Sequence, residues 1–170
     1  MSGTHPDVSH LSSTERAIEK LEKQMMKGQG RWVADFNESF LKYRVGDVTF
    51  DLFISGNTRM KGFILSRLFS FLLNPNYDVG FFATSVDQEK EPNERKLRKL
   101  ILAVKSCMEK SGMKWAWLVI VGQSPNDSVA RFIRESTDRN VGVAYVDVNS
   151  REIMSGDTYL GRQLKKYIKV

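Results

Sequence analysis

Two short runs of small polar residues have the composition of an anion-binding site. Each run follows an apolar stretch and precedes a segment with helical spacing, so its backbone N–H groups would lie at the start of a helix. Free N–H groups and the helix dipole favour a phosphate or another anion there. The predicted anion-binding residues are Ser55, Gly56, Asn57, Thr58 and Arg59 in the first run, with Ser124 and Asn126 in the second. The alternative is that these residues only cap their helices.

The sequence lacks the familiar catalytic fingerprints. It contains no G-x-x-x-x-G-K-[ST], G-x-G-x-x-G or G-x-S-x-G run, which argues against a P-loop, a dinucleotide site and a nucleophile elbow. The two histidines, His5 and His10, lie near the start of the chain, and the single cysteine, Cys107, falls in an apolar helical stripe. We therefore expect no cofactor and no zinc-type metal site in the folded body. The sequence leaves open whether the protein is an enzyme.

Four aspartates leave metal-dependent phosphodiester chemistry as an alternative. They lie at the ends of predicted strands or on the polar face of one, and they are Asp47, Asp51, Asp87 and Asp147. Two carboxylates that converge can hold Mg²⁺. Isolated aspartates at strand ends more commonly serve as caps and turn residues, and we favour that interpretation.

An excess of positive charge indicates anionic partners. The net charge is +6 and the pI is about 9.5, and residues 159–170 contain basic residues but no acidic one. Nucleic acid, a phosphorylated ligand or an acidic membrane surface would each fit such a bias. The predicted nucleic-acid-binding residues are Arg95, Arg98, Lys99, Arg162, Lys165, Lys166 and Lys169. The alternative is a basic protein whose lysines are simply solvated.

One uninterrupted apolar run, residues 115–121, organises the predicted fold. A short continuous apolar run that ends at turn residues is typical of a strand buried on both faces. Turn residues follow at 122–127, and Val129, Phe132 and Ile133 then recur at helical spacing. The sequence therefore predicts a central strand that leads into a helix through a polar loop.

The other elements alternate between strand and helix. Apolar or period-2 runs predict strands near residues 48–54, 79–84 and 141–148, and apolar stripes predict helices between and after them. Two further helices are predicted before the first strand, one from Ser13 and one over about residues 31–43. The second of these rests on the spacing of Trp32, Phe36 and Phe40.

This order predicts an α/β fold with a mostly parallel sheet of about four or five strands, helices on both faces and two preceding N-terminal helices. In such sheets, ligands bind at the carboxyl ends of the strands, so both anion-binding runs should gather at one edge. We expect residues 1–12 to be a flexible tail, residues 13–44 an N-terminal helical segment and residues 45–170 a single α/β domain.

Part of the chain resembles the distal half of a restriction-endonuclease-like fold. The likeness rests on the order of strand, long basic helix, apolar strand and helix, followed by the run VGVAYVDV. That family carries an Asp followed by Glu/Asp-x-Lys on adjacent strands. The matching strand here reads Phe82-Ala83-Thr84-Ser85 and has neither the acid nor the lysine. The resemblance implies a nucleic-acid binder that has lost catalysis.

Three functions stay open. The first is a non-catalytic nucleic-acid-associated or assembly domain with a basic surface, which the charge and the missing catalytic set favour. The second is an α/β protein, with or without enzymatic activity, that binds a phosphorylated small molecule at the strand carboxyl ends. The third is an interaction module that forms a homo-oligomer or binds a protein partner through an apolar helix at residues 59–73. One cysteine, no secretory signal and no apolar stretch of membrane-spanning length favour a cytoplasmic protein without a membrane partner.

Overall fold

The backbone forms a mixed sheet of six strands, and the order of the strands in space equals their order in the chain. The computed structural model describes residues 11–58, 77–86 and 92–169. The strands are β1 (Asp35–Val45), β2 (Val48–Asn57), β3 (Asp78–Ser85), β4 (Trp115–Gly122), β5 (Val141–Asp147) and β6 (Glu152–Ser155). The helix predicted at residues 59–73, and the partner surface assigned to it, lie outside the described residues.

The prediction of a mostly parallel sheet with four or five strands is wrong. β3, β4 and β5 run parallel to one another, but three of the five strand contacts are antiparallel: β1 with β2, β2 with β3, and β5 with β6. The reason is local at both edges of the sheet. Short turns join β1 to β2 and β5 to β6, and a short turn returns the chain antiparallel to the strand that it has just left.

The prediction of a second N-terminal helix is also wrong. The first helix, α1 (Ser13–Met26), is followed by a short 3-10 helix (Gln29–Trp32) and then directly by β1. β1 passes into β2 through a two-residue turn, with Val45 and Val48 paired and the intervening Gly46 at a φ of 61°. A tight hairpin turn requires this positive φ, which glycine adopts without strain. The hairpin makes residues 35–45 a strand.

A bulge in β1 sends two phenylalanines to opposite faces of the sheet. The register against β2 shifts between Phe36 and Glu38, where β1 has one extra residue. Phe36 packs toward Trp117, with ring centres 6.4 Å apart, whereas Phe40 stacks on Phe53 at 5.9 Å. Those two partners belong to the cores on opposite faces of the sheet. One inserted residue thus reverses the side-chain alternation of the strand.

Helices cover both faces of the sheet. α1 and α4 (Tyr159–Tyr167) pack on one face, and α2 (Glu94–Ser111) and α3 (Asp127–Arg134) pack on the other. In the part of the chain that the structure describes, no helix is both long enough and apolar enough to cross a membrane.

The central strand has the burial that its apolar run predicts. Trp117, Val119 and Val121 face the core beneath α1 and α4, whereas Leu118 and Ile120 face the core beneath α2 and α3. All five side chains are fully buried. Burial of a large apolar side chain contributes about 1.5–3 kcal/mol, so β4 is a main source of stability. The prediction of a strand buried on both faces is confirmed.

Capping residues define the ends of the helices. Ser12 and Glu15 form a reciprocal capping box at the start of α1. Asn93 caps α2 by accepting from the N–H of Lys96, and Gly112 ends that helix in the left-handed conformation at a φ of 70°. A helix between the strands predicted near residues 79–84 and 115–121 is therefore confirmed.

Two hydrogen bonds join α1 to the chain just after α4. The Gln24 side chain donates to the backbone carbonyl of Lys169 at 2.6 Å and accepts from the N–H of the same residue at 2.9 Å. The two residues are 145 positions apart in sequence. The pair fixes both helices on the same face of the sheet.

Candidate nucleic-acid interface

The first predicted anion-binding run lies at the end of a strand. Ser55, Gly56 and Asn57 belong to β2 and are in register with β1 on one side and β3 on the other. The Ser55 hydroxyl donates to the Glu38 carboxylate at 3.1 Å, which places an acid beside the run. Thr58 follows the strand, and Arg59 lies outside the described residues. Anion binding by this run stays a prediction.

The side chains of the second run hold a polar turn together. The Ser124 hydroxyl donates to Asp147 at 3.1 Å, and Asn126 caps α3 by accepting from the N–H of Val129 at 2.9 Å. Burial acts to raise the pKa of Asp147, but this hydroxyl and the N–H groups of the following turn outweigh burial and hold the pKa below its ordinary value. Both Ser124 and Asn126 therefore have structural partners.

The two runs lie at opposite ends of the parallel strands. Asn57 pairs with Asp78 at the amino end of β3, whereas Ser124 follows the carboxyl end of β4. The expectation that both runs gather at the carboxyl ends of the strands is wrong, because it required β2 to run parallel to β4. Whatever each run binds, they do not form one site.

Beside the carboxyl end of β3, Asp51 is the centre of a polar cluster. Its carboxylate accepts hydrogen bonds from Lys42 Nζ at 2.5 Å and from the N–H and hydroxyl of Ser85, both at 2.6 Å. Burial acts to raise the pKa of Asp51, but these donors outweigh it and hold the pKa below the ordinary value of 3.8. Three donors satisfy this carboxylate, so the cluster is explained as part of the structure.

The aspartates singled out from the sequence do not converge on a metal site. Asp51 on β2 and Asp147 on β5 are three strand spacings apart, which is roughly 14 Å. Asp47 lies in the first hairpin and pairs with Lys99. Asp87 lies outside the described residues. Among the residues that are described, no group of three or more His, Cys, Asp and Glu side chains is arranged to hold a metal ion.

The strand compared with the endonuclease-like fold is β3, and it lies beside β2. Asp51 of β2 is therefore next to Thr84 and Ser85, which have neither the acid nor the lysine of that motif. The lysine that reaches Asp51 comes instead from the other neighbouring strand, β1. Binding without catalysis, which the resemblance implies, stays a prediction.

The residues predicted to bind nucleic acid lie on two separate surfaces. Arg95, Arg98 and Lys99 belong to α2, whereas Arg162, Lys165 and Lys166 belong to α4, with Lys169 just beyond it. The six-stranded sheet lies between these helices. One continuous interface therefore cannot include both sets.

On α2, two of the three cations are held by acids of the same molecule. Arg98 pairs with Glu94 at 2.5 Å and lies 5.1 Å above the ring centre of Phe132, and Lys99 pairs with Asp47. Exposed ion pairs contribute little to stability, but they offset the local charge. The surface of α2 thus offers less uncompensated charge than its sequence suggests.

On α4, the cations are exposed and mostly uncompensated. Arg162 pairs with Asp157 at 2.7 Å. Across the described ranges, Lys165, Lys166 and Lys169 form no ion pair. This face of the molecule therefore presents positive charge to solvent.

A groove beside α4 extends the positive surface to the amino ends of β4 and β5. This amino-end groove has a volume of about 480 Å³, and no acidic side chain lines it in the described part of the chain. Its polar and aromatic lining includes Lys114, Trp115, Arg139, Tyr159, Gln163 and Tyr167. Lys114 and Arg139 are exposed, and neither forms an ion pair with any described residue. An anionic ligand would meet no acidic side chain among the described residues that line the groove.

Hydrogen bonds fix the two loops that carry these cations. The N–H of Lys114 donates to the carbonyl of Asp78 at 2.9 Å. In the other loop, Asp138 accepts from the N–H of Asn140 at 2.9 Å and pairs with Lys105 at 2.5 Å. Burial acts to raise the pKa of Asp138, but the Lys105 ammonium and neighbouring N–H groups outweigh it and hold the pKa below its ordinary value. Arg139 therefore projects from a turn of fixed shape.

Reasoning from the sequence missed the groove, because its residues come from separate segments. Lys114 precedes β4, Arg139 precedes β5 and Tyr159 begins α4. One local signal was present: Tyr159, Gln163 and Tyr167 recur every four residues, a spacing that places them on one side of a helix. Nothing in the sequence placed that side next to Lys114 and Arg139.

Comparisons with known proteins give no relative for this chain. No family model, no curated protein and no solved structure matches it significantly.

Proposed function

We propose that this protein is a non-catalytic nucleic-acid-binding domain that contacts phosphates through the exposed basic surface of α4. The surface consists of Arg162, Lys165, Lys166 and Lys169. The observation that supports the proposal is that, among the residues described, no acid pairs with any of the three lysines. Adjacent lysines that no acid neutralises suit the regularly spaced phosphates of nucleic acid.

The spacing of these cations is unfavourable for the helix alone. Arg162 lies three and four positions before Lys165 and Lys166, where like charges destabilise a helix by about 0.2–0.5 kcal/mol per pair. Cations in the last turn do favour the helix dipole, which gives Lys165 and Lys166 a structural benefit as well. Lys169 lies beyond the helix and has no such explanation. A bound phosphate backbone would relieve the repulsion among all four side chains.

The salt dependence of binding tests the proposal. Fluorescently labelled DNA and RNA of mixed sequence are titrated with the protein at several salt concentrations. We expect affinity to fall steeply with salt, because each bound phosphate releases counterions. Replacing Arg162, Lys165, Lys166 and Lys169 with Gln should flatten the log–log slope by about 0.7–0.9 units for each phosphate that is no longer bound. The fold should be retained, since all four side chains are exposed.

A matched control removes the same charge from the opposite face. Replacing Arg95, Lys96, Arg98 and Lys99 of α2 with Gln also lowers the net charge by four, from +6 to +2. This variant should lose much less affinity than the α4 variant. Equal losses in both variants, or full affinity in the α4 variant, would contradict the proposal. A loss confined to Ser55→Ala would instead favour a small-anion site at the end of β2.

A further inference from the structure

We infer that the amino-end groove accepts an unpaired base of single-stranded nucleic acid. The inference rests on the proposed function and adds the class of nucleic acid that is bound. Phosphates would contact the cations of α4 and of the groove rim, while a base would lie against the aromatic rings. Unpaired bases present flat faces to aromatic side chains, whereas a duplex hides those faces in its stack.

Tyr159 has an exposure that the fold does not explain. Its side chain is 69% exposed at the first position of α4. It forms no ring contact with any described residue. Tyrosine offers a large flat surface and loses little conformational entropy when it is immobilised. At the rim of the groove, this ring is available to stack on a base.

Beside Tyr159, a row of rings is held in place by the core. Trp117 is fully buried, and its ring centre lies 5.2 Å from that of Trp115 and 6.5 Å from that of Tyr167. Trp115 and Tyr167 are half-buried and line the groove. Rings that are already fixed lose little freedom when a ligand binds. The groove therefore has a pre-organised aromatic wall.

Cationic and amide side chains surround these rings. Lys114 and Arg139 line the groove, and Lys166 Nζ lies 5.4 Å from the ring centre of Tyr167. The amides of Asn140 and Gln163 also line the groove. An amide can both donate to and accept from the edge of a base. The groove thus combines charge for phosphates, rings for a base face and amides for a base edge.

This combination favours nucleic acid over an acidic protein segment. Carboxylates of a peptide would satisfy the cations, but they would leave Tyr159 and the half-buried rings without a flat partner. An abasic nucleic-acid strand distinguishes the contribution of phosphate contacts from that of base stacking, because it retains the phosphates and lacks the bases.

Four labelled probes of equal length test the inference by fluorescence anisotropy: single-stranded DNA, single-stranded RNA, an abasic deoxyribose-phosphate strand and a DNA duplex. Wild-type protein should bind the base-containing single strands more tightly than the abasic strand and the duplex. Tyr159→Ala should weaken binding of the base-containing strands about tenfold, as expected when one base–aromatic stack is removed, and leave the abasic strand unaffected. Tyr159→Phe should retain the affinity. The RNA and DNA strands show which sugar is preferred.

Leu102→Ala serves as the control, because Leu102 is 66% exposed on α2, on the other face of the sheet. It should change no affinity. Equal wild-type affinity for the base-containing and abasic strands, or no effect of Tyr159→Ala, would overturn the inference while leaving phosphate binding through α4 standing. Equally strong competition by a polyglutamate peptide would also overturn it. No binding of any probe would overturn the proposed function itself.

Discussion

The indole N–H of Trp117 donates to the backbone carbonyl of Leu160 at 3.0 Å. This buried bond joins the middle of the central strand to the first turn of α4, 43 positions later in the sequence. The buried Trp117 therefore positions both the basic surface of α4 and the rim of the amino-end groove.

Trp117→Phe should lower the free energy of unfolding by about 2–4 kcal/mol, because it removes this hydrogen bond and leaves a cavity beside the ring. Urea denaturation followed by circular dichroism measures the loss. Trp115→Phe is the matched control, since Trp115 is only half-buried, and it should cost less than about 1 kcal/mol. Equal costs would show that the bond to Leu160 contributes nothing.

Asp51 should make the free energy of unfolding depend on pH in the acidic range. Its pKa in the folded protein lies below the ordinary value of 3.8, so the folded state favours the carboxylate over the protonated acid. The stabilisation is complete above the pKa of the unfolded chain and is lost as pH falls through the lower folded pKa. We expect little change in unfolding free energy between about pH 7 and pH 5, and a decline below about pH 4.

Asp51→Asn should be less stable at neutral pH by about 1–3 kcal/mol and should show a shallower acid decline. Ser85→Ala should have an intermediate effect, because the N–H of Ser85 still donates to Asp51. Urea titrations at a series of pH values give both quantities. An acid decline that is unchanged in Asp51→Asn would assign it to other carboxylates such as Asp138 and Asp147, whose pKa values are also lowered.

Gly122→Ala should be destabilising by about 1–3 kcal/mol, because a β-carbon there would collide with the Tyr145 hydroxyl and with Val86. Burial raises the pKa of Tyr145 to about 12, so this hydroxyl stays neutral near pH 7 and donates to the carbonyl of Gln123 at 2.6 Å. In a Tyr145→Phe background, the alanine substitution should cost less, since the atom nearest to the new β-carbon, the Tyr145 hydroxyl oxygen, is gone. Additive costs in the double variant would contradict the collision with Tyr145.

Because of the bulge in β1, we expect Phe36→Ala and Phe40→Ala to lower the free energy of unfolding by unequal amounts. In a helix, both side chains would lie on one side and the two losses would be similar. Phe36 is 3% exposed, and Phe36→Ala should cost about 3–5 kcal/mol. Phe40 is 42% exposed, and Phe40→Ala should cost about 1 kcal/mol, mainly through its contact with Phe53. Thermal unfolding of the two variants compares them. Equal losses would count against the strand and its bulge.

The elements that the sequence predicts well are those whose signals are local. The apolar run of β4 and the residues Asn93 and Gly112 that bound α2 need no distant partner to be recognised. The prediction for residues 31–43 is wrong because a spacing of four brings Phe36 and Phe40 to one side of a helix or of a regular strand. The sequence Gly46-Asp47 between two valines is a hairpin signal, and it favours the strand that the structure shows.

The direction of β2 and the amino-end groove depend on contacts between distant segments. No local pattern states that β2 pairs with β3 in the antiparallel sense, and this pairing places Asn57 far from Ser124. Likewise, Lys114 and Arg139 come together only because β4 and β5 are adjacent parallel strands. Composition identified the positive charge of α4, but not the rings beside it.

The agreement between strand order and chain order has a consequence for synthesis on the ribosome. When each strand emerges, the preceding strand with which it pairs has already been synthesised, so the sheet can extend by addition at one edge. The face shared by α1 and α4 is different, because its second helix emerges after all six strands. Until then, this side of β5 lacks the cover that α4 provides, and α1 lacks the contact between Gln24 and Lys169. The nascent protein should therefore be most vulnerable to aggregation and proteolysis just before α4 is released.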